Sequence, residues 1–224
     1  MIPLYDTLRS RHFPLVNWLL IALNFIIFFY ELSLSPSALN RLTLVWGLVP
    51  VNLMTHPQTY WLTIFTSMFL HGGWLHILGN MWFLFIFGDN IEDRMGGVRY
   101  LIFYLLSGVI AGVLDSYVLA TSSVPTIGAS GAIAGVLGAY LVSFPRARIA
   151  SLVPIIFIFT IIEIPATIFL LFWFVLQLFS GWLSLDGSSA GGVAWWAHIG
   201  GFLFGMLAVN LFAKRQTYFY KLDS

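Results

Sequence analysis

One serine in the sequence has the surroundings that a nucleophile needs. Ser130 lies in the run Gly128-Ala129-Ser130-Gly131, at the predicted start of an apolar helix. Backbone N–H groups in a first helical turn have no intrahelical partner and can stabilise an oxyanion. Serine alone is a poor nucleophile and requires a base. The candidate base is His198, one turn inside another apolar segment, so the pair suggests acyl transfer.

Two further polar side chains, His76 and Asn80, could complete this chemistry. They are four residues apart, so they share one helix face, and both can donate hydrogen bonds to an oxyanion. Their segment and those of Ser130 and His198 are all predicted to run from the outside to the inside of a membrane. Each residue falls near the outer start of its segment, so the four should agree in depth within a turn or two.

The helix of the candidate nucleophile and the helix of the candidate base can approach closely. Gly131 and Gly135 are four residues apart in the first, and Gly201 and Gly205 are four apart in the second. Such spacing lets helix backbones pack closely in lipid. Each feature alone also has an ordinary interpretation, because glycines serve packing and an intramembrane histidine can be a simple interhelical donor. The agreement in depth favours a catalytic site.

Three other polar residues receive structural interpretations. His71 is predicted to bond a loop carbonyl, and Gln177 to make a hydrogen bond between helices. Asp115 is predicted to cap or solvate the end of a helix, since no feature of the sequence ties it to His198.

The composition defines the class of protein that must hold these residues. Hydrophobic residues make up 59% of the 224 residues and charged residues only 8%, against about 45–50% and about 25% in globular chains. A soluble enzyme, a nucleic-acid binder and a disordered chain are thereby excluded. We predict an all-α, polytopic membrane protein built as a bundle of six transmembrane helices. The six predicted spans are about 13–32, 62–88, 100–120, 124–144, 163–183 and 194–212.

The distribution of charge predicts the orientation. Nine of the ten Lys and Arg residues flank one side of these spans, and only Arg41 lies on the other, so both termini are predicted to be cytoplasmic. The chain then divides into a short N-terminus (1–12), a six-helix core (13–212) and a short C-terminal tail (213–224). Within the core, 151–162 is interpreted as an interfacial connection. The absence of a transit-like N-terminus favours the plasma membrane.

Four stretches of this sequence together resemble the rhomboid family of intramembrane serine proteases, over roughly 60–212. They are His71-Gly-Gly-Trp-Leu-His76-Ile-Leu-Gly-Asn80; Gly88 to Glu92 with Gly96, in the loop that follows; Gly128-Ala-Ser130-Gly131; and Ala197-His198-Ile-Gly-Gly201 with Gly205. A lone Gly-x-Ser-Gly is a weak signal, whereas the whole series in this order is strong.

The resemblance implies a serine endopeptidase that cleaves transmembrane segments of membrane-protein substrates near the outer face. It implies a Ser130–His198 dyad, and an oxyanion hole formed by His76, Asn80 and the backbone N–H of Ser130. The cavity would open to the outside, bordered by the 33–72 loop, the fifth span and the 184–193 loop. Supporting positions implied by the signature stretches are His71, Gly128, Gly131 and Gly201. Neither a metal nor a cofactor is implied, and the partners are the substrates and the lipid bilayer, with no nucleic acid.

Two positions depart from patterns common in the family. The long first loop has Trp61-Leu62 where many members have Trp-Arg, so the loop should be anchored differently. Ala134 stands where many bacterial members have an aromatic residue that stacks on the catalytic histidine. His198 must therefore be positioned by other packing.

Three alternatives remain open on the sequence. The first is a non-catalytic rhomboid-like binder of transmembrane helices, against which the intact Ser130, His198, His76 and Asn80 argue. The second is a small transporter or channel with a histidine-lined pore, against which the lack of internal repeats argues. The third is a haem protein with two histidine ligands from different spans.

Overall fold

Helices dominate the architecture. A computed structural model describes residues 1–155, 158–185 and 193–214. In chain order its elements are β1 (Ile2–Asp6), α1 (Leu15–Ser33), α2 (Pro36–Trp46), α3 (Pro50–Thr55), α4 (Pro57–Tyr60), α5 (Thr63–Thr66), a 3-10 turn (Ser67–Phe69), α6 (Trp74–Met95), α7 (Gly97–Val118), α8 (Ser130–Ser143), β2 (Arg148–Ile155), β3 (Ile158–Pro165), α9 (Ala166–Ser184) and α10 (Trp195–Phe212).

Fewer helices than predicted can cross a membrane by themselves. Among the described residues, α1, α7, α9 and α10 are long and apolar enough. The segment Thr63–Phe69 and α6 would together make a fifth span, but they are bent by 95°. Helix α8 has 14 residues, and at about 1.5 Å per residue its length of about 21 Å is less than the roughly 30 Å of a hydrocarbon core. The predicted count of six spans is therefore not confirmed.

Large apolar side chains cover the outside of this bundle. Leu75 is 90% exposed, Leu211 is 84% exposed and Leu207 is 80% exposed. Apolar surface of this extent is unfavourable in water and favourable in a bilayer. The protein is thus an integral membrane protein that crosses the bilayer several times, with these side chains facing lipid.

Helix α8 lies at the centre of the bundle. Its residues from Gly131 to Leu141 are all buried. The helix with which α8 makes its most extensive contact is α10. A methyl group on Gly201 would overlap the carbonyl oxygen of Gly131, and one on Gly205 would overlap that of Gly135. The close approach predicted from the glycine spacing is therefore confirmed, and it fixes the start of α8 beside the start of α10.

Gly205→Ala is expected to lower thermal stability in detergent, because its new methyl group must displace the backbone of α8. Overpacking a tight contact costs about 1–3 kcal/mol. Gly79→Ala in α6 is the matched control, since nothing lies within 4 Å of the added carbon. There the better helix propensity of alanine should leave stability equal or raised by up to about 1 kcal/mol. Equal melting temperatures for the two variants would contradict this packing.

A buried polar cluster joins the start of α1 to the end of α6. The Glu92 carboxylate accepts hydrogen bonds from the backbone N–H groups of Val16 (3.1 Å) and Asn17 (2.7 Å). The Tyr100 hydroxyl donates to the Asn17 side-chain oxygen at 2.7 Å. A carboxylate at a helix N-terminus satisfies N–H groups that the helix leaves unpaired. The stretch Gly88–Glu92, expected in a loop, thus forms the last turns of α6, held there by its contact with α1.

A three-stranded antiparallel sheet corrects the expectation of an all-α fold. Strand β2 is central: it pairs with β1 from Ile2↔Leu152 to Asp6↔Ile149, and with β3 from Arg148↔Pro165 to Ile155↔Ile158. Of the region interpreted as an interfacial connection, 151–162, the described residues 151–155 lie in β2 and 158–162 lie in β3. The physical reason is its content of β-branched and aromatic residues, which favour strands. The N-terminal residues supply the third strand.

Strand β1 is attached to the helices through polar contacts. The Trp82 indole N–H donates to the carbonyl of Pro3 at 2.6 Å, and the Tyr140 hydroxyl donates to the Asp6 carboxylate. Burial raises the pKa of Asp6 from 3.8 to about 6; the Tyr140 hydrogen bond opposes this shift and the nearby Asp89 adds to it. The Asp6 carboxyl is thus easier to ionise in the unfolded chain.

The pKa of Asp6 predicts a pH dependence of stability. Between about pH 4 and pH 6 the folded protein retains a proton that the unfolded chain has lost, so stability should fall as the pH rises through this window. A shift of this size corresponds to about 3 kcal/mol, which partial solvent exposure reduces to about 1–2 kcal/mol. Asp6→Asn should therefore melt at a higher temperature than wild type at pH 7.5 and at a similar one at pH 4. A constant difference from pH 4 to pH 8 would contradict this.

Candidate active site

The four polar residues singled out by type and spacing line one cavity. It has a volume of about 630 Å³, and its wall includes Ser130, His198, His76 and Asn80. They come from the starts of α8 and α10 and from the first two turns of α6. The structure thus brings together side chains that are up to 122 positions apart in sequence. In the described part of the chain, no charged side chain lines this cavity.

The turn before Ser130 is shaped by a glycine that no other residue could easily replace. Gly128 has φ +120°, and a methyl group there would lie 2.5 Å from His76 Nε2. Its N–H donates to the Ser67 carbonyl at 2.9 Å. Ser130 then begins α8, where the free N–H groups of the first turn are available to an anion. The local sequence therefore places a hydroxyl and unpaired N–H groups side by side.

The long first loop is fixed to the segment that leads into this turn. The backbones of Leu48 and Thr126 exchange two hydrogen bonds, of 3.0 and 2.7 Å. The Thr126 hydroxyl in turn donates to the Asp115 carboxylate at 2.9 Å. Asp115, expected to cap or solvate the end of a helix, is fully buried, so the second of these two roles, solvation, is wrong. It holds the segment before Ser130 and is not part of the described cavity wall.

His76 presents an N–H toward this turn. The backbone N–H of Gly72 donates to His76 Nδ1 at 3.3 Å, so Nδ1 is the acceptor and Nε2 carries the proton of the neutral ring. Nε2 is also the atom closest to Gly128. Asn80 lies one turn further along α6, and within the described chain its buried Nδ2 has no hydrogen-bond partner. Two donors therefore face the cavity beside Ser130.

His71 is close to this group without lining the cavity. Its ring centroid lies 5.1 Å from that of His76. Its Nδ1 lies 3.3 Å from the Phe69 carbonyl, which confirms the predicted bond to a loop carbonyl. Its backbone N–H lies 3.2 Å from each oxygen of the buried Glu31 carboxylate. Glu31 thus fixes the loop ahead of α6. Sequence reasoning did not identify Glu31, although an acidic residue within an apolar span could have indicated that it has a buried partner.

His198 is held by the neighbouring helix α9. It lies in the first turn of α10 and is 9% exposed. Its Nδ1 is 2.8 Å from the Gln177 side-chain oxygen in α9, which confirms that Gln177 makes a hydrogen bond between helices. The ring of Trp173 lies 5.9 Å away, centroid to centroid, at an interplanar angle of 33°. The sequence analysis did not identify His198 as the partner of Gln177.

The supporting glycines act through close contacts. Gly131 and Gly201 let α8 and α10 meet, and Gly128 admits His76. Of the borders expected for the cavity, Trp173 of α9 lines it, as do Val193 and Ala194 before α10. From the 33–72 loop only Gly72 lines it, and most of the 184–193 loop lies outside the described residues.

Fold and site together define an integral, multi-pass membrane protein with a cavity inside its helix bundle, where four polar side chains lie in a mostly apolar wall. A family model described as the Rhomboid domain matches residues 58–215. The chain belongs to the rhomboid family.

Curated relatives support the same assignment. Rhomboid-like protein 11, chloroplastic, of Arabidopsis thaliana is 36% identical over 76 residues, which are 34% of this chain and 27% of that protein. RHOMBOID-like protein 1 of the same plant is 34% identical over 98 residues, or 44% and 24% of the two chains. Presenilin-associated rhomboid-like protein A, mitochondrial, of Danio rerio is 32% identical over 153 residues, or 66% and 37%. The chain thus spans well under half of the length of these relatives.

Proposed function

We propose that this protein is an intramembrane serine endopeptidase that hydrolyses peptide bonds in transmembrane segments of membrane-protein substrates. The observation that carries the proposal is the arrangement of Ser130, His198, His76 and Asn80 around one cavity. A hydroxyl, an imidazole and two donors are the groups that acyl transfer requires. Membership of the rhomboid family supports the same activity.

The proposed reaction proceeds in two halves. His198 Nε2 takes the proton of Ser130 as its oxygen attacks the scissile carbonyl, and the carbonyl becomes an oxyanion. His76, Asn80 and the Ser130 backbone N–H donate to that oxyanion. The tetrahedral intermediate collapses, His198 protonates the leaving amine, and Ser130 is left as an ester. Water, deprotonated by His198, then attacks this ester, and the released Ser130 oxygen regains the proton.

The substrate must unwind before it can react. A transmembrane helix keeps its carbonyl groups in internal hydrogen bonds, so a peptide bond becomes accessible only where the helix opens. The mostly apolar wall of the cavity is suited to a locally extended, apolar segment. Membership of the rhomboid family further implies cleavage near the outer face, at small residues next to helix-destabilising ones.

A fluorophosphonate probe provides the direct test. Wild-type protein in detergent should be labelled, and both Ser130→Ala and His198→Ala should abolish the labelling. His56→Ala is the matched control, because His56 is exposed and, among the described residues, its ring bonds the neighbouring Thr55 hydroxyl alone. A folded wild type that is not labelled and does not cleave a transmembrane reporter in liposomes would favour the non-catalytic binder of transmembrane helices.

The proposed orientation has both termini in the cytoplasm, and the proposed location is the plasma membrane. Because the chain has no cysteine, a single introduced thiol reports its own side. Gln58→Cys in α4 should react with a membrane-impermeant maleimide on intact cells, whereas Thr7→Cys should react only after lysis. The opposite pattern would overturn the orientation, and fractionation of the labelled cells locates the membrane.

A further inference from the structure

His198, the base of the proposed dyad, has a hydrogen-bond partner in α9, a helix that lies outside the signature stretches. Gln177 is the only amide in α9, and it is 6% exposed. A buried amide in an apolar segment is costly unless its polar atoms are bonded. Gln177 satisfies this condition by bonding on both sides, once to His198 and once within its own helix.

These two bonds fix which end of the amide faces the histidine. The backbone carbonyl of Trp173, one turn earlier, lies 3.2 Å from Gln177 Nε2. A carbonyl can only accept, so the NH₂ group must point at Trp173. The oxygen Oε1 therefore faces His198 Nδ1, at 2.8 Å.

The orientation of the amide fixes the proton on the imidazole. Since Oε1 can only accept, the neutral His198 ring must carry its proton on Nδ1. Nε2 is then left with a free lone pair, and this is the form that can take a proton from Ser130. His76 has the opposite tautomer, set by the Gly72 N–H, and so acts as a donor. The two histidines of the cavity are thus prepared for opposite roles.

The other described neighbours of the His198 ring include a small residue and two aromatic rings. Ala134, one turn after Ser130, lines the cavity with only a methyl group. Trp173 lies beside the ring at a tilt, and Trp195 meets it edge-on, with centroids 6.0 Å apart. Aromatic neighbours limit where the ring sits, but only a hydrogen bond distinguishes one ring nitrogen from the other.

We propose that Gln177 is the positioning residue that holds His198 in the orientation and tautomer needed to accept the Ser130 proton. This inference rests on the proposed function. Gln177 does not line the described cavity wall, so it acts through His198 and not on the substrate. Its loss should lower kcat and leave KM nearly unchanged.

The test compares Gln177→Leu with Asn24→Leu. Each substitution removes one buried intramembrane amide. Among the described residues, the one hydrogen bond of the Asn24 side chain is to the Leu20 carbonyl in α1, and Asn24 does not line the cavity. Gln177→Leu should lower kcat on a transmembrane reporter in liposomes by about 10- to 100-fold, by analogy with the loss seen when a partner that orients a metal-ligating histidine is removed. KM should stay within about twofold. Asn24→Leu should retain the kcat of wild type.

The ¹⁵N resonances of the His198 ring report its tautomer independently of activity. They are assigned as the ring signals that disappear from the spectrum of His198→Ala. Wild type should show a protonated Nδ1 and an unprotonated Nε2, and Gln177→Leu should show a mixture of both neutral forms. An unchanged kcat in Gln177→Leu, or a wild-type ring protonated on Nε2, would overturn the inference and leave the proposed function standing. Fluorophosphonate labelling and reporter cleavage by wild type decide the proposed function separately, and the absence of both from folded protein would overturn both proposals. If Gln177→Leu does not fold, the test uses the wild-type spectrum together with Gln177→Met, in which methionine has a volume similar to that of glutamine.

Discussion

Ser130→Ala is expected to abolish hydrolysis of a transmembrane reporter in liposomes, with a loss of at least about 10⁴-fold in kcat. The substitution removes the only oxygen that can form the ester, while alanine fits the start of α8 without strain. The reporter should have small residues beside a Gly-Pro pair, so that its helix can open. The measurement is the rate at which a terminal fluorophore is released.

Ser143→Ala is the matched control for this experiment. Ser143 is the last residue of the same helix, so the variant repeats the chemical change at the opposite end of α8. It should retain wild-type activity. Residual cleavage by Ser130→Ala at more than about a hundredth of the wild-type rate would mean that another group is the nucleophile.

The second large effect is expected at Asn80. Asn80→Asp keeps the size of the side chain but replaces its donor with a carboxyl group, so one hydrogen bond to the oxyanion is lost. Removing one such donor costs about 2.7–4 kcal/mol, or about 10²- to 10³-fold in kcat. Binding should change less than kcat, because the donor is needed most when the oxyanion forms.

Asn52→Asp provides the comparison for this second prediction. Asn52 lies in α3 of the first loop, so an equal chemical change there should leave kcat within about twofold. A fall in kcat/KM caused by KM alone in Asn80→Asp would place Asn80 in substrate binding and remove it from the proposed oxyanion hole.

Much of the cavity could be predicted from the sequence. Polar residues are rare inside apolar segments, so Ser130, His198, His76 and Asn80 stood out by type alone. Their depths followed from the direction of each span, and the glycine spacing indicated which helices meet. These inferences need only the rise of a helix and the cost of burying polar groups. The chemical roles of the four residues stay predictions.

Other features could not be read from local patterns. The pairing of residues 2–6 with 148–155 joins segments more than 140 positions apart, and no periodicity in either one names its partner. The connection at 151–162 is mostly apolar, so hydrophobicity alone could not distinguish a strand from an interfacial segment. The bond from Gln177 to His198 depends on how α9 rotates against α10, which no single helix reveals.

The short central helix has a consequence for where substrates would be cut under the proposed function and orientation. Because α8 measures only about 21 Å, its first residue lies some distance below the outer lipid headgroups if its last residue is at the inner surface. The length of α8 would then set the depth of the Ser130 hydroxyl in the membrane. One residue added or removed in the outer half of a substrate helix would move its peptide bonds by about 1.5 Å relative to the Ser130 hydroxyl. Cleavage would then be selected by distance from the membrane surface as well as by the residues that flank the bond.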